Sequence, residues 1–406
     1  MKKKALVLGG GLQGVLAAFK LDKIGFEVTI VEKSEKLLNR ASRVNEGKIH
    51  LGIIYANDKS FDSAKYMMKS AMCFDTMIEE IVGERAPWQK WLSAPFYYIK
   101  MKSSLLSVKE LDDFYDKINE HFDEVYKGSS TYLGTSPKWL IKKLDYIPNY
   151  LNSDFVDAVW ETNELSVEVN KMNAWILEKL NKCDSIKKEF HCEVHDIAKN
   201  KDGFKVVANQ NGTEIELESS LVVNCTWEDR LNLDSKLKYN PNHNWTFRLK
   251  HALNGILPKK IKNIPSLTFV LGSYGDVVNF KSTSKSYVSW YPEGMTDTTE
   301  QIKVPKEWEN VCNGIVDDPK KAKKRITDML QGFNEIIPGL VDCTSVDLCA
   351  GVIYSRGTPY IDDINSEVHQ RFKVGIIHNE DGYLSIDTGK LTSAPLHASE
   401  LGKILN

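Results

Sequence analysis

Three glycines carry the first chemistry that can be read from this chain. In the stretch VLGGGLQG they stand at Gly9, Gly11 and Gly14, a G-x-G-x-x-G spacing that follows one apolar run and opens another. Each has a separate role, since Gly9 permits a tight turn, Gly11 lets a pyrophosphate approach the backbone, and Gly14 lets a helix pack on a sheet. Leu12 and Gln13 complete the turn, at a helix N-terminus whose free N–H groups favour an anion. The run VTIVEK then ends in Glu32 and Lys33. A carboxylate at Glu32 accepts hydrogen bonds from ribose hydroxyls and repels a 2'-phosphate, so an adenine dinucleotide other than NADP is expected. NAD and FAD both satisfy that pattern.

The elements that must position these residues form a βαβ unit. A strand (4–8), the glycine turn, a helix (about 13–24), Gly25 as its stop and a second strand (27–31) are expected, the strands reading as apolar runs because both faces are covered. From about 61 to 150 the texture changes to longer helical patterns rich in Met, Trp and Tyr. The α/β pattern returns through VEVNKMNAWILEKL, a hairpin around Asn211-Gly212 and SLVVNCTW. After Asn240 several runs read as antiparallel strands, followed by a helix (about 319–333), and the last sixty residues regain α/β texture and close with a helix (about 393–405). The expected fold is α/β: a Rossmann-like nucleotide domain in three pieces (1–60, 156–238 and 345–406). A substrate domain is inserted twice, with helices at 61–155 and an antiparallel sheet at 239–344.

The residues after the second strand separate NAD from FAD. The stretch ASRVNEGKIHLGIIYA carries Ser42, Asn45, Gly47, His50, Gly52 and Tyr55 where a plain NAD dehydrogenase would continue with another βα unit. Here the chain resembles the D-amino-acid-oxidase-like flavoproteins, which have the glutathione-reductase-type FAD fold. Its N-x-G-x-I-H-x-G-x-x-Y pattern is similar to the flavin-contacting loop of L-2-hydroxyglutarate dehydrogenase. The resemblance recurs in order along the chain. Val194 in KKEFHCEVHDI stands where the family's strand contacts the adenine end of FAD, and Asn224, Cys225 and Thr226 match its V-V-N-A-A-G turn, although Thr226 and Trp227 replace the small ending. Gly389, Lys390, Leu391 and Thr392 match the second half of the family's C-terminal G-H-G-x-x-G-x-x-x-A-P motif, whose G-H-G is absent here. In the family, a helix N-terminus at that place faces the flavin C2 carbonyl, and Lys390 would add a cation beside reduced flavin. Some relatives bind FAD covalently through histidine or cysteine, which raises the question of attachment at His50.

The resemblance also implies chemistry: hydride leaves a C–H that bears an amine or a hydroxyl and reaches flavin N5, in an amino acid or a 2-hydroxy acid. Arg356 in GVIYSRG matches the family's carboxylate-binding arginine, a planar guanidinium that holds a carboxylate by two hydrogen bonds. Trp290 and Tyr291 in SYVSWYPEG fall on the sheet that roofs the flavin, and His50 and Tyr291 are the candidate bases where a hydroxyl must lose its proton. The aromatic cluster at 88–100 reads equally as lid, partner surface or core. Competing readings are a flavin monooxygenase, which lacks here a second nicotinamide fingerprint, and a non-catalytic FAD or nucleotide-binding protein.

Composition bounds the rest. The chain has 406 residues, 42% of them hydrophobic, and a net charge of -2 that selects neither nucleic acid nor an anionic membrane, so a small-molecule substrate is expected. Seven cysteines without a C-x-x-C pair suit a reducing compartment and no structural zinc. A cytoplasmic location is expected, because glycines and Lys20 interrupt the signal-like start and no apolar run reaches membrane-spanning length. The electron acceptor, oxygen or another, is left open.

Overall fold

The computed structural model describes residues 2–283, 285–316 and 318–405. Lys4–Leu8 forms the expected first strand, and parallel neighbours cover both of its edges. It lies in a six-stranded sheet whose order is Gly375–Glu380, Tyr383–Asp387, Leu221–Asn224, Lys4–Leu8, Glu27–Val31 and Ile186–Glu189. All neighbours pair in parallel except the first edge strand. The helix Leu12–Lys23 buries its apolar stripe on this sheet. It stops where Gly25, at φ +96, takes the left-handed backbone that glycine adopts without strain.

A three-stranded antiparallel sheet, Cys192–Asn200, Gly203–Gln210 and Thr213–Ser219, sits beside it. Asn211 and Gly212 link its last two strands, both at positive φ as a two-residue hairpin turn of this hand requires. A nine-stranded sheet builds the second unit, with Trp245–Ile256 paired along its length to Thr344–Arg356. Its neighbours are antiparallel except Ser266–Val270 beside Phe96–Met101. The helix Pro319–Asn334 packs Met329, Leu330 and Phe333 into the core behind it.

Two strands lie on the other side of the domain boundaries read from sequence. Val156–Thr162 pairs with Phe96–Met101, and Thr344–Arg356 pairs with Trp245–Ile256, so both belong to the nine-stranded sheet. Apolar alternation shows that a run is a strand but not which sheet receives it. Among the described residues no helix is long and apolar enough to cross a membrane.

The closing helix, Ala394–Leu405, lies against Leu12–Lys23 and carries the fully buried His397, whose Nε2 meets the Tyr66 hydroxyl. Burial pushes the His397 ring down to about 3. The unfolded chain therefore binds a proton that the folded one refuses, and stability is complete above the ordinary histidine value near 6.5 and falls as pH drops toward 3. At pH 5 the expected loss is about 2 kcal/mol. Thermal melts between pH 7 and 5 check this: His397→Gln should flatten the pH dependence, and an unchanged slope would assign it to other groups.

Candidate active site

The three glycines do separate work in the structure. Gly9 has φ +93, and a Cβ there would lie 2.8 Å from the Cys225 carbonyl oxygen; a Cβ on Gly14 would lie 1.9 Å from the Gly9 carbonyl oxygen. Gly11 is different. Its backbone is extended, and a Cβ would meet only Ser42 Oγ, at 3.2 Å. Gly11 borders two adjoining cavities, and its missing side chain leaves their junction open. The helix that starts there has no side-chain cap, and Leu12 N–H donates to Ser42 Oγ at 2.9 Å.

One cavity is lined by Gly9, Glu32, Lys33, Val194 and Thr226, the other by Leu12, Gln13, Asn45, His50, Tyr291, Gly389, Lys390 and Leu391. They meet at Gly11, Ser42, Cys225 and Trp227. Glu32 accepts from the backbone N–H groups of Gly10 and Ser34, both at 2.7 Å, which fixes its carboxylate at the cavity wall. Lys33 is paired with Glu228, Asp229 and Glu309, and Arg40 with Glu228 and Glu309. Both amide atoms of Gln13 are buried without a partner in the chain, as expected of a group that awaits a polar ligand. An open turn, a fixed carboxylate and an orphaned amide along one continuous trough fit an extended dinucleotide.

Four sequence candidates stand behind this lining. Gly14 backs the turn, and Gly47 lies so close to Val167 that a Cβ would be 2.0 Å from its carbonyl oxygen. Asn224 is buried, donating to the Arg230 carbonyl, Asp234 and the Tyr383 hydroxyl. Thr392 Oγ accepts from His50 N–H at 3.0 Å and donates to the Lys48 carbonyl. Trp227 takes φ +57 and anchors its indole N–H on the Val352 carbonyl at 2.9 Å, so the backbone is left-handed here without glycine.

A third cavity, about 130 Å³, shares the wall formed by Glu46, Lys48, His50, Tyr291, Arg371 and Lys390, and adds Arg248, Asp276 and Tyr55. Lys48 is committed to Asp276 at 2.7 Å and to Thr268. The two arginines are not so committed. Arg248 is 3% exposed and Arg371 9% exposed, yet neither has a carboxylate partner among the described residues. Among the described residues Arg248 donates a hydrogen bond to Ser355 Oγ, at 3.4 Å, and its Nε has no partner; Arg371 donates to the Gln370 carbonyl at 2.8 Å. Burial, with Arg371 nearby, pushes Arg248 down to about 10, so it still carries its charge at neutral pH.

The same cations set the other groups. Burial, then Lys390 and Lys48, hold His50 well below the ordinary histidine value, so its ring is neutral, with Nδ1 unpartnered. Burial pushes the Tyr291 phenol up, but Lys250, 4.6 Å from its ring centre, Arg248 and Lys390 outweigh it and bring the phenol below its ordinary value. Burial and the neighbouring cations likewise lower Lys390.

Arg356 is not among the residues that line any of the three cavities. On its strand Ile353 faces the third cavity and Ser355 meets Arg248, whereas Arg356 has the parity of Val352 and Tyr354, which line the first cavity but not the third, and its charge falls near His243 beyond them. Sequence reading also missed Glu46, Lys48, Lys250, Arg248 and Arg371. Glu46 and Lys48 were in view as the variable positions of N-x-G-x-I-H; Arg248, Lys250 and Arg371 had no local signal.

The sequence model of a family described as FAD dependent oxidoreductase (DAO) matches residues 4–398. The chain belongs to this DAO family. This DAO enzyme is therefore FAD-dependent, and the sequence resemblance to D-amino-acid-oxidase-like flavoproteins holds over nearly the whole chain. Among solved structures, the DAO chain is similar to iminodiacetate oxidase from Chelativorans sp. BNC1, with 15% identity over 99% of this chain and 95% of that one and a TM-score of 0.67. It is similar to glycine oxidase from Geobacillus kaustophilus, with 15% identity over 100% and 94% and a TM-score of 0.65. L-alpha-glycerophosphate oxidase from Mycoplasma pneumoniae, with FAD bound, has 16% identity over 100% and 95% and a TM-score of 0.64. At such identity these likenesses establish the DAO fold. No curated protein sequence matches the chain.

Proposed function

We propose that the two cavities meeting at Gly11 hold FAD. Its adenosine half would lie beside Glu32 and Val194, and its flavin half beside Asn45, His50 and Lys390. The third cavity would then take a small acid whose reacting carbon carries an amine or a hydroxyl. Bound FAD would supply the acceptor for the hydrogen and electron pair that leave that carbon. The chain supplies charge and orientation. Arg248 and Arg371 would receive the substrate's carboxylate, in place of Arg356, and Tyr291 and neutral His50 are placed to accept the proton that leaves the heteroatom. The observation that carries this reading is the pair of buried guanidinium groups without a carboxylate partner among the described residues, in a cavity that shares a wall with the trough proposed for FAD.

The test is a screen of amino acids and 2-hydroxy acids against the purified yellow enzyme under anaerobic conditions. At least one member should bleach the flavin absorbance, and its methyl ester should not. Protein that takes up no FAD, or flavin that no acid bleaches, would overturn the reading. Retention of colour by the denatured chain would add attachment at His50.

A further inference from the structure

Glu46 sits on the wall common to the flavin trough and the third cavity. Among the described residues no cation forms an ion pair with it, and no other side chain donates to it. Its surroundings explain why it stays charged. Burial opposes ionisation, but Lys250, Lys390 and Lys48 outweigh it and hold the carboxyl well below the usual carboxylate range. Those lysines lie within electrostatic reach without occupying its oxygens: Lys48 is held by Asp276 and Thr268, and Lys250 leans on the Tyr291 ring.

The cavity is therefore polarised. Arg248 borders only the third cavity, Arg371 borders it and the flavin trough, and Glu46 offers open acceptor oxygens on that common wall. A substrate whose carboxylate lies on the guanidinium groups presents the donor on its reacting carbon to the remaining space. A protonated or neutral amine brings two or three N–H groups, and a hydroxyl brings one. Hydrogen bonds in which donor or acceptor is ionised are about twice as strong as neutral ones; both substrates gain this from the Glu46 carboxylate, but an ammonium adds its own charge and further N–H donors, which a hydroxyl does not.

We infer that Glu46 is the specificity-determining residue of this site, accepting the substrate's amine and so selecting 2-amino acids over the corresponding 2-hydroxy acids. The inference rests on the proposed function, which leaves amine and hydroxyl open. Glu46 is here a positioning group that touches substrate; the proton still leaves toward Tyr291, His50 or solvent.

The experiment uses FAD-loaded wild type and Glu46→Gln with matched pairs: glycine and glycolate, alanine and lactate, aspartate and malate, in both enantiomers where they exist. Anaerobic flavin reduction is followed, and propionate binding is read from the flavin spectrum. In wild type, the amino member of the best pair should react at least about tenfold faster per unit concentration than its hydroxy partner. Glu46→Gln should slow the amino member by about thirtyfold, slow the hydroxy member less than threefold, and leave the propionate Kd within about twofold. Should Glu46→Gln fail to hold FAD, Glu46→Asp replaces it and should keep the preference at a lower rate. A wild-type preference for the hydroxy member, or equal slowing of both, overturns the inference and leaves the proposed function standing. Bleaching by no member of any pair overturns both.

Discussion

Arg371→Met is expected to keep FAD and to lower the rate constant of anaerobic flavin reduction, per unit substrate concentration, by about a hundredfold, equivalent to roughly 3 kcal/mol. The guanidinium is buried, without a carboxylate partner among the described residues, and held by its bond to the Gln370 carbonyl, while the residue's backbone N–H donates to Ser63 Oγ, so the free edge of the guanidinium is oriented before any ligand arrives. Arg371→Lys should restore only part of the loss, since a point charge cannot reproduce two fixed hydrogen bonds. Arg248→Met should behave alike, and Arg356→Met, away from all three cavities, should reduce flavin within about threefold of wild type. A full rate in Arg371→Met beside a large loss in Arg356→Met would return the carboxylate site to the position read from sequence.

Gly11→Val should abolish FAD binding while the apoprotein still folds, because the added side chain enters open space with only Ser42 Oγ close by. Gly14→Ala should do worse: its Cβ would meet the Gly9 carbonyl oxygen at 1.9 Å, forcing helix and strand apart at a cost of about 3 kcal/mol or more. Glu32→Ala should be the mildest, weakening FAD by roughly 1 to 3 kcal/mol, the scale of charged hydrogen bonds. Flavin titration and thermal melts of the three apoproteins give the order. Unchanged FAD affinity in Gly11→Val would mean that the cofactor does not pass this turn.

The trough proposed for the cofactor was legible in sequence because its parts are local. Gly9, Gly11, Gly14 and Glu32 lie within one βαβ unit, where strand length and helix length set their distances; of the later blocks, Val194 sits on a strand beside it and Cys225 to Thr226 directly follow one. The third cavity was not legible, since Glu46, Arg248, Asp276 and Arg371 converge from four separated segments and no spacing rule connects them. Arg356 shows a second limit. Its strand pairs with Trp245–Ile256, and facing alternates at every residue, so a shift of one position moves a guanidinium from one side of a sheet to the other. Trp227, which replaces a small residue in the resemblance to the family's turn, takes a positive φ that glycine adopts more readily.

The order of strands in the six-stranded sheet has a bearing on how the chain is made. Lys4–Leu8 lies between Glu27–Val31 and Leu221–Asn224, the latter needs Tyr383–Asp387 on its far edge, and the first helix is covered by Ala394–Leu405. At the usual pace of about 5 to 20 residues per second, the glycine turn leaves the ribosome tens of seconds before the elements that complete its sheet. Until then its helix has a bare apolar flank, and contacts so distant along the chain form slowly. FAD cannot be captured in the site proposed for it until Tyr383–Asp387 and Ala394–Leu405 have been made, so uptake of the cofactor would report the closing of this sheet.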